Sequence, residues 1–302
     1  MRARVRFRHL AAVAASAALA GGCGGSEPSA GAVEGTEIPA PAWAKPVIAK
    51  AGPDVAMTMA SSDFARGENR LAFLLVRNDG SLVQAPRAHV YYRLGGKTRK
   101  ATATLTPLGV DGDDAESVYV TRIAFETAGK HWVVVEPEGG ELQAFQIIDV
   151  KEKTTAPAVG ERAVPIVNPT TERKAAREIS TQRPPDTALL RHTVAESLER
   201  GVPFVLVFAT PEYCHTRACG PAVDVVSAVR RRYEGRGIRF IHVEIYEDNT
   251  PGKGVNEWVR QWNLPSEPWV FVVDADGIVR ARFEGAIGAD EVDAAIAEHL
   301  LR

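Results

Sequence analysis

Two unbroken apolar runs, Phe204–Phe208 and Val270–Val273, constrain this chain more than any other feature. A strand that is apolar at every position buries both faces, so its sheet must be covered on both sides. The cover is legible nearby. Leu189–Glu199 has a helical pattern, and Ala222, Val225, Val226, Val229 and Tyr233 mark one face of a second helix. Val255, Trp258, Val259 and Trp262 form the face of a short third helix, and Val292, Ala295, Ile296 and Leu300 line a last one. Ile238–Ile245 supplies another strand. Val270–Val273 and Val279–Phe283 make a hairpin around Asp274-Ala275-Asp276-Gly277, packed under the last helix. Residues 187–302 therefore read as an α/β domain.

The preceding part has a different period. Leu71–Val76, Ala88–Leu94, Ala101–Leu105, Val118–Phe125, Trp132–Glu136 and Ala144–Val150 are short strand-like runs separated by turns such as Asn78-Asp79-Gly80 and Gly95-Gly96. Ala88–Tyr92 and Val118–Phe125 alternate as half-buried strands do. The stretch Tyr119–Trp132, with Phe125, Ala128-Gly129 and Trp132, resembles the penultimate hairpin of immunoglobulin-like bacterial surface modules. That resemblance implies an all-β sandwich over residues 47–150. Met57 and Met59 offer either a soft pair for Cu(I) or two core or edge-strand side chains. Residues 151–186, rich in Pro, Thr, Glu and Arg and without a sustained period, read as a linker.

The N-terminus has the three regions of an export signal: basic from Met1 to His9, Ala-rich and apolar from Leu10 to Ala20, then small residues before a Cys. Leu19-Ala-Gly-Gly-Cys23 resembles a bacterial lipobox, which implies removal of residues 1–22 and acylation of Cys23. The apolar stretch is shorter than the roughly 20 residues of a membrane span, so the acyl chains would be the anchor, on the extracytoplasmic face of a membrane in the cell envelope. Residues 23–46, poor in large apolar side chains, read as a flexible tether. Losing Arg2, Arg4, Arg6 and Arg8 takes the formal charge from −2 to −6, which argues against a nucleic-acid partner. Of three cysteines, Cys214 and Cys219 remain in the exported chain, where disulfides persist.

Two landmarks give residues 187–301 a resemblance to the thioredoxin superfamily. In Phe208-Ala-Thr-Pro-Glu-Tyr-Cys214 a buried strand runs into an aromatic residue and a Cys; in Leu264-Pro-Ser-Glu-Pro268-Trp a Pro directly precedes the strand of the final hairpin. The resemblance implies thiol-disulfide exchange with exported protein thiols or disulfides and no cofactor. It makes Cys214 the nucleophile, Cys219 its resolving partner and Pro268 a cis residue facing them. A Cys at the mouth of a helix sits among unpaired N–H groups at the positive end of the helix dipole, which favours its thiolate.

The chain departs from that family in two ways. Four residues separate Cys214 from Cys219 where the redox-active family has two, and on a regular helix this spacing sets the side chains about 140° apart. Gly220-Pro221 suggests that the helix begins at Pro221 and leaves the cysteines in a loop. Six residues before Cys214, where classical thioredoxins keep a buried acid, stands Phe208; Glu212, His215 and Glu244 are the substitute proton handlers, or else solvated loop residues. Other readings stay open: an interaction module clipped by a structural disulfide, a copper chaperone of the Sco type, or a peroxidase. The copper reading needs a distant His, and His242 on a strand reads as a core or edge residue, so no metal is expected. The peroxidase reading rests on Thr210 alone.

Overall fold

The computed structural model describes residues 40–48, 55–110, 117–139, 143–214 and 218–301. The helical turn α1 (Lys45–Ile48) precedes seven strands: β1 (Val55–Met59), β2 (Gly67–Arg77), β3 (Arg87–Leu94), β4 (Lys97–Pro107), β5 (Ser117–Phe125), β6 (Gly129–Pro137) and β7 (Ala144–Val150). They pair in the order β1-β2-β5-β4-β3-β6-β7, antiparallel throughout. Alternation sorts the faces: Leu71, Phe73 and Leu75 of β2 and Ala88, Val90 and Tyr92 of β3 share one core with residues from every other strand. Gly95 and Gly96, at φ 61° and 68°, make the two-residue turn from β3 to β4 that a Cβ would strain. Met57 points into this core and Met59 packs at its margin, so the methionine pair is packing.

The sandwich of two sheets expected from the sequence is instead one sheet, nearly closed on itself. The cause is β4, long enough to change partners: Lys97–Thr104 pairs with β3, and Thr104–Pro107 pairs with β5. A parallel bridge between Ala65 and Lys151 brings the two outer edges together.

After α2 (Ala176–Ile179) and a 3-10 turn at Thr187–Leu190 come α3 (Val194–Glu199), β8 (Phe204–Phe208), α4 (Cys219–Arg232), β9 (Arg239–Val243), α5 (Glu257–Gln261), β10 (Trp269–Val273), β11 (Val279–Glu284) and α6 (Ala289–His299). The sheet order is β11-β10-β8-β9, with β8 and β9 parallel and the other pairs antiparallel. Both faces are covered, as the apolar runs require. Val205, Val207, Val270 and Val272 meet α4 and α6, while Phe204, Leu206, Phe208 and Phe271 meet α3, α5 and Trp262. The expected helix over Leu189–Glu199 is broken in two, because the Thr193 hydroxyl accepts the Glu196 N–H at 3.0 Å and caps a fresh start. Among the described residues no helix is long and apolar enough to cross a membrane.

Residues 151–186 are not a linker. Ala156, Ala163 and Ile166 lie in the α/β core, and Gly160, Glu161 and Ala163 exchange backbone hydrogen bonds with Gly277 and Val279 at the edge of β11. An extended, Pro-rich segment shows no helix or strand period, yet it can still lie along a sheet edge and bury isolated apolar side chains.

The β and α/β parts meet across a polar and an apolar seam. The Arg70 guanidinium, nearly buried, donates to both carboxylate oxygens of Glu291 at 2.7 and 2.8 Å and to the carbonyls of Glu284 and Ala286. The Glu284 carboxylate accepts from the backbone N–H of Ser62 and Asp63 and from the hydroxyls of Ser62 and Ser266. Asp63, its side chain fully buried, pairs with Arg282 and Lys151. Ala72, Leu108 and Val118 of the β part pack on Ala218 and Ala286.

Candidate active site

The site lies at the end of β8. Register fixes its frame: Trp269 of β10 stands opposite Phe208 of β8, so Pro268, one residue before β10, comes beside the loop that leaves β8 toward Cys214. The Glu267–Pro268 peptide bond is cis. The Pro268 carbonyl accepts the Gly285 N–H at 2.8 Å, which ties this corner to the end of β11.

Helix α4 starts at Cys219, two residues earlier than the Pro suggests. Pro221 falls inside the first turn, where its missing N–H has no intrahelical partner to lose. With the helix beginning at the second cysteine, Cys214 lies in the preceding loop and the obstacle posed by helical spacing disappears. The Cys219 N–H donates to Cys214 Sγ at 3.2 Å; a donor of this kind at a helix N-terminus holds negative charge on sulfur. Both cysteines are thiols, Cys214 partly exposed and Cys219 completely buried. Hydrogen bonding to Cys214 and burial push the Cys219 thiol far above the ordinary thiol range. The charges of Cys214 and Glu267 add to this, and a backbone hydrogen bond with Thr210 opposes it.

Glu267, which the sequence reading did not single out, completes the cluster. The two sulfurs and a Glu267 carboxylate oxygen all lie within 4.8 Å of one another. Its one sequence signal was its place directly before Pro268. The three atoms are close enough to share protons.

Of the expected proton handlers, Glu212 and Glu244 each have other partners. Glu212 is exposed at the mouth of the site, 3.5 Å from Arg183. Glu244 is buried, but its carboxylate accepts the Thr181 N–H at 2.5 Å and lies 3.9 Å from His242 Nε2. His215 lies outside the described residues. His242 is a core histidine, its Nε2 3.0 Å from the Ala209 carbonyl. Phe208, six residues before Cys214, is fully buried against Trp262 and Phe271, and Thr210 is equally buried. The sequence also gave no sign that the β part would wall the site: Ala218, next to Cys219, packs on Ala72, Leu108 and Val118.

No protein-family model matches the chain, and no curated protein does. Among solved structures, one assigned as the thiol:disulfide interchange protein DsbE from Chlorobium tepidum is similar over 47% of this chain and 98% of its own, at 14% identity and a TM-score of 0.34. Superoxide reductase (neelaredoxin) from Ignicoccus hospitalis is similar over 37% of this chain and 92% of its own, at 12% identity and a TM-score of 0.21.

Proposed function

We propose that this chain is a thioredoxin-like thiol-disulfide oxidoreductase, held on the extracytoplasmic face of a bacterial membrane and acting on exported proteins through Cys214 and Cys219. The observation that carries the reading is the asymmetry of the pair. One sulfur is reachable and receives a helix N-terminal N–H; the other is buried directly behind it. Exchange needs that arrangement, with one thiolate to attack and a second thiol positioned to resolve, whereas a structural clip needs only proximity. Pro268, one residue before β10 and directly after Glu267, has no N–H of its own to pair at this corner.

The strand order of the curled sheet supports an immunoglobulin-like topology without two separate sheets: β6-β3-β4-β5 and β2-β5-β4-β3 are both Greek-key orders. Lipidation at Cys23, outside the described residues, rests on the signal segment and the lipobox resemblance. Stable attachment needs two or more acyl chains, so Cys23→Ser should release the protein from the membrane fraction; unchanged sedimentation with membranes would end the anchor reading. The exchange reading is tested by titrating the pair against glutathione or dithiothreitol. A midpoint within the span of known exchange proteins, about −120 to −270 mV, supports it. A pair that stays oxidised until below about −300 mV points to a structural disulfide.

A further inference from the structure

Resting on that exchange reading, we propose that Glu267 takes the proton from Cys219 when Cys219 resolves the mixed disulfide. Cys219 is completely buried, so water cannot collect its proton directly, and a thiol must be deprotonated to attack. The Glu267 carboxylate lies within 4.8 Å of both sulfurs, held there because β10 pairs with β8 immediately after it. Of the other acids, Glu244 accepts the Thr181 N–H at one oxygen and Glu212 pairs with Arg183.

Among the described residues, Cys214 from the loop after β8 and Cys219 from α4 lie against this carboxylate, and Tyr246 from the turn after β9 feels its charge. Burial and the charges of Glu267, Cys219 and Cys214 all raise the Tyr246 phenol, which keeps it protonated and unable to accept. His215 and Arg217 lie outside the described residues.

A substrate disulfide has been attacked by Cys214, leaving one substrate sulfur bonded to it. The Cys219 S–H bond breaks, the proton passes to a Glu267 oxygen, and the Cys219 sulfur attacks Cys214 Sγ. The Cys214–Cys219 bond forms as the bond to the substrate sulfur breaks, and the substrate leaves as a thiolate that takes a proton from Glu267 or solvent. The substrate disulfide is reduced and the protein's dithiol is oxidised. Glu267 holds the proton only for the duration of the attack.

The test is stopped-flow reaction of the full-length reduced protein with an aromatic disulfide, in which attack by Cys214 releases one aromatic thiolate and resolution by Cys219 releases the second. In Glu267→Gln the second release should slow by about 10²-fold near neutral pH, the lower range for a positioned acid-base group. Its rate should then climb roughly tenfold per pH unit as hydroxide replaces the carboxylate. Glu267→Asp, which keeps the carboxylate, should recover part of the rate and flatten the profile. A second release in Glu267→Gln with the wild-type rate and pH profile overturns the proposal while leaving exchange intact, and equal losses in Gln and Asp without a changed profile overturn it in favour of a packing role. A wild-type protein that releases only one thiolate overturns the exchange reading and this proposal with it.

Discussion

Gly285 and Ala60 approach so closely that a Cβ on Gly285 would overlap the Ala60 carbonyl oxygen. Gly285 also has φ of 72°, a conformation that side chains disfavour. The contact joins the end of β11 to the loop after β1, so a glycine at this position is what lets the two parts of the chain close on each other. Gly285→Ala should cost about 2 kcal/mol or more, from overpacking and backbone strain together. The measurement is a shift of the urea midpoint to lower concentration at constant slope. An unchanged midpoint would mean that the parts do not abut here.

Asp63 makes the same seam sensitive to acid. Burial works to raise its pKa, but backbone hydrogen bonds from Thr155 and Ala156, the charge of Arg282 and a side-chain hydrogen bond from Lys151 outweigh it and hold the carboxyl below its usual range. A carboxylate depressed in the folded state contributes stability that is complete above the unfolded value, about 3.9, and is lost as pH falls through the folded value. Stability should therefore fall with pH in the region below about pH 4, and Asp63→Asn should be less stable at neutral pH but lose less on acidification. Parallel acid profiles for the two proteins, measured by urea unfolding, would remove Asp63 from the account.

The parts of the fold written in periodic patterns were legible in the sequence. Phe204–Phe208 announced a sheet covered on both faces because five apolar residues in succession permit little else, and Val292, Ala295 and Ile296 announced the last helix. The single curled sheet was not legible, since partner exchange along β4 depends on where Thr104 falls between Arg87 and Val120, a pairing that no local pattern encodes. Residues 151–186 misled for the same reason: Ala156, Ala163 and Ile166 are spaced irregularly because each fills a separate gap. At the site, Cys214, Cys219 and Pro268 could be read from chain order. Glu267 could not, because its distance from the sulfurs is set by the register of Trp269 against Phe208 rather than by its neighbours in sequence.

The boundary at residue 187 has a measurable consequence. A fragment of residues 187–302 lacks Ala156, Ala163 and Ile166, which leaves part of the face formed by Phe204, Leu206 and Phe271 uncovered. Removing three apolar side chains of this size from a core forfeits several kcal/mol by transfer free energy, comparable with the total stability of a domain. The expected outcome is that residues 151–302 unfold cooperatively while residues 187–302 bind a hydrophobic dye and lack a sharp transition. Equal stability of the two fragments would restore 151–186 as a linker.

Cys214 is partly exposed and receives the Cys219 N–H, while Cys219 is completely buried with its thiol held protonated. The first sulfur can meet a substrate and the second cannot, so the mixed disulfide must form at Cys214. Removing the resolving thiol should then leave that intermediate stranded. Cys219→Ala should accumulate disulfide-linked adducts with exported proteins, visible as reductant-sensitive bands, and Cys214→Ala should form none. A pair that serves only as a clip closes a short loop, worth about 2 kcal/mol by the chain-entropy argument. In that case both variants would lose similar stability and neither would trap a partner. Adducts on Cys214→Ala instead would show that the buried sulfur becomes exposed in solution, and would reverse the assignment of the two cysteines.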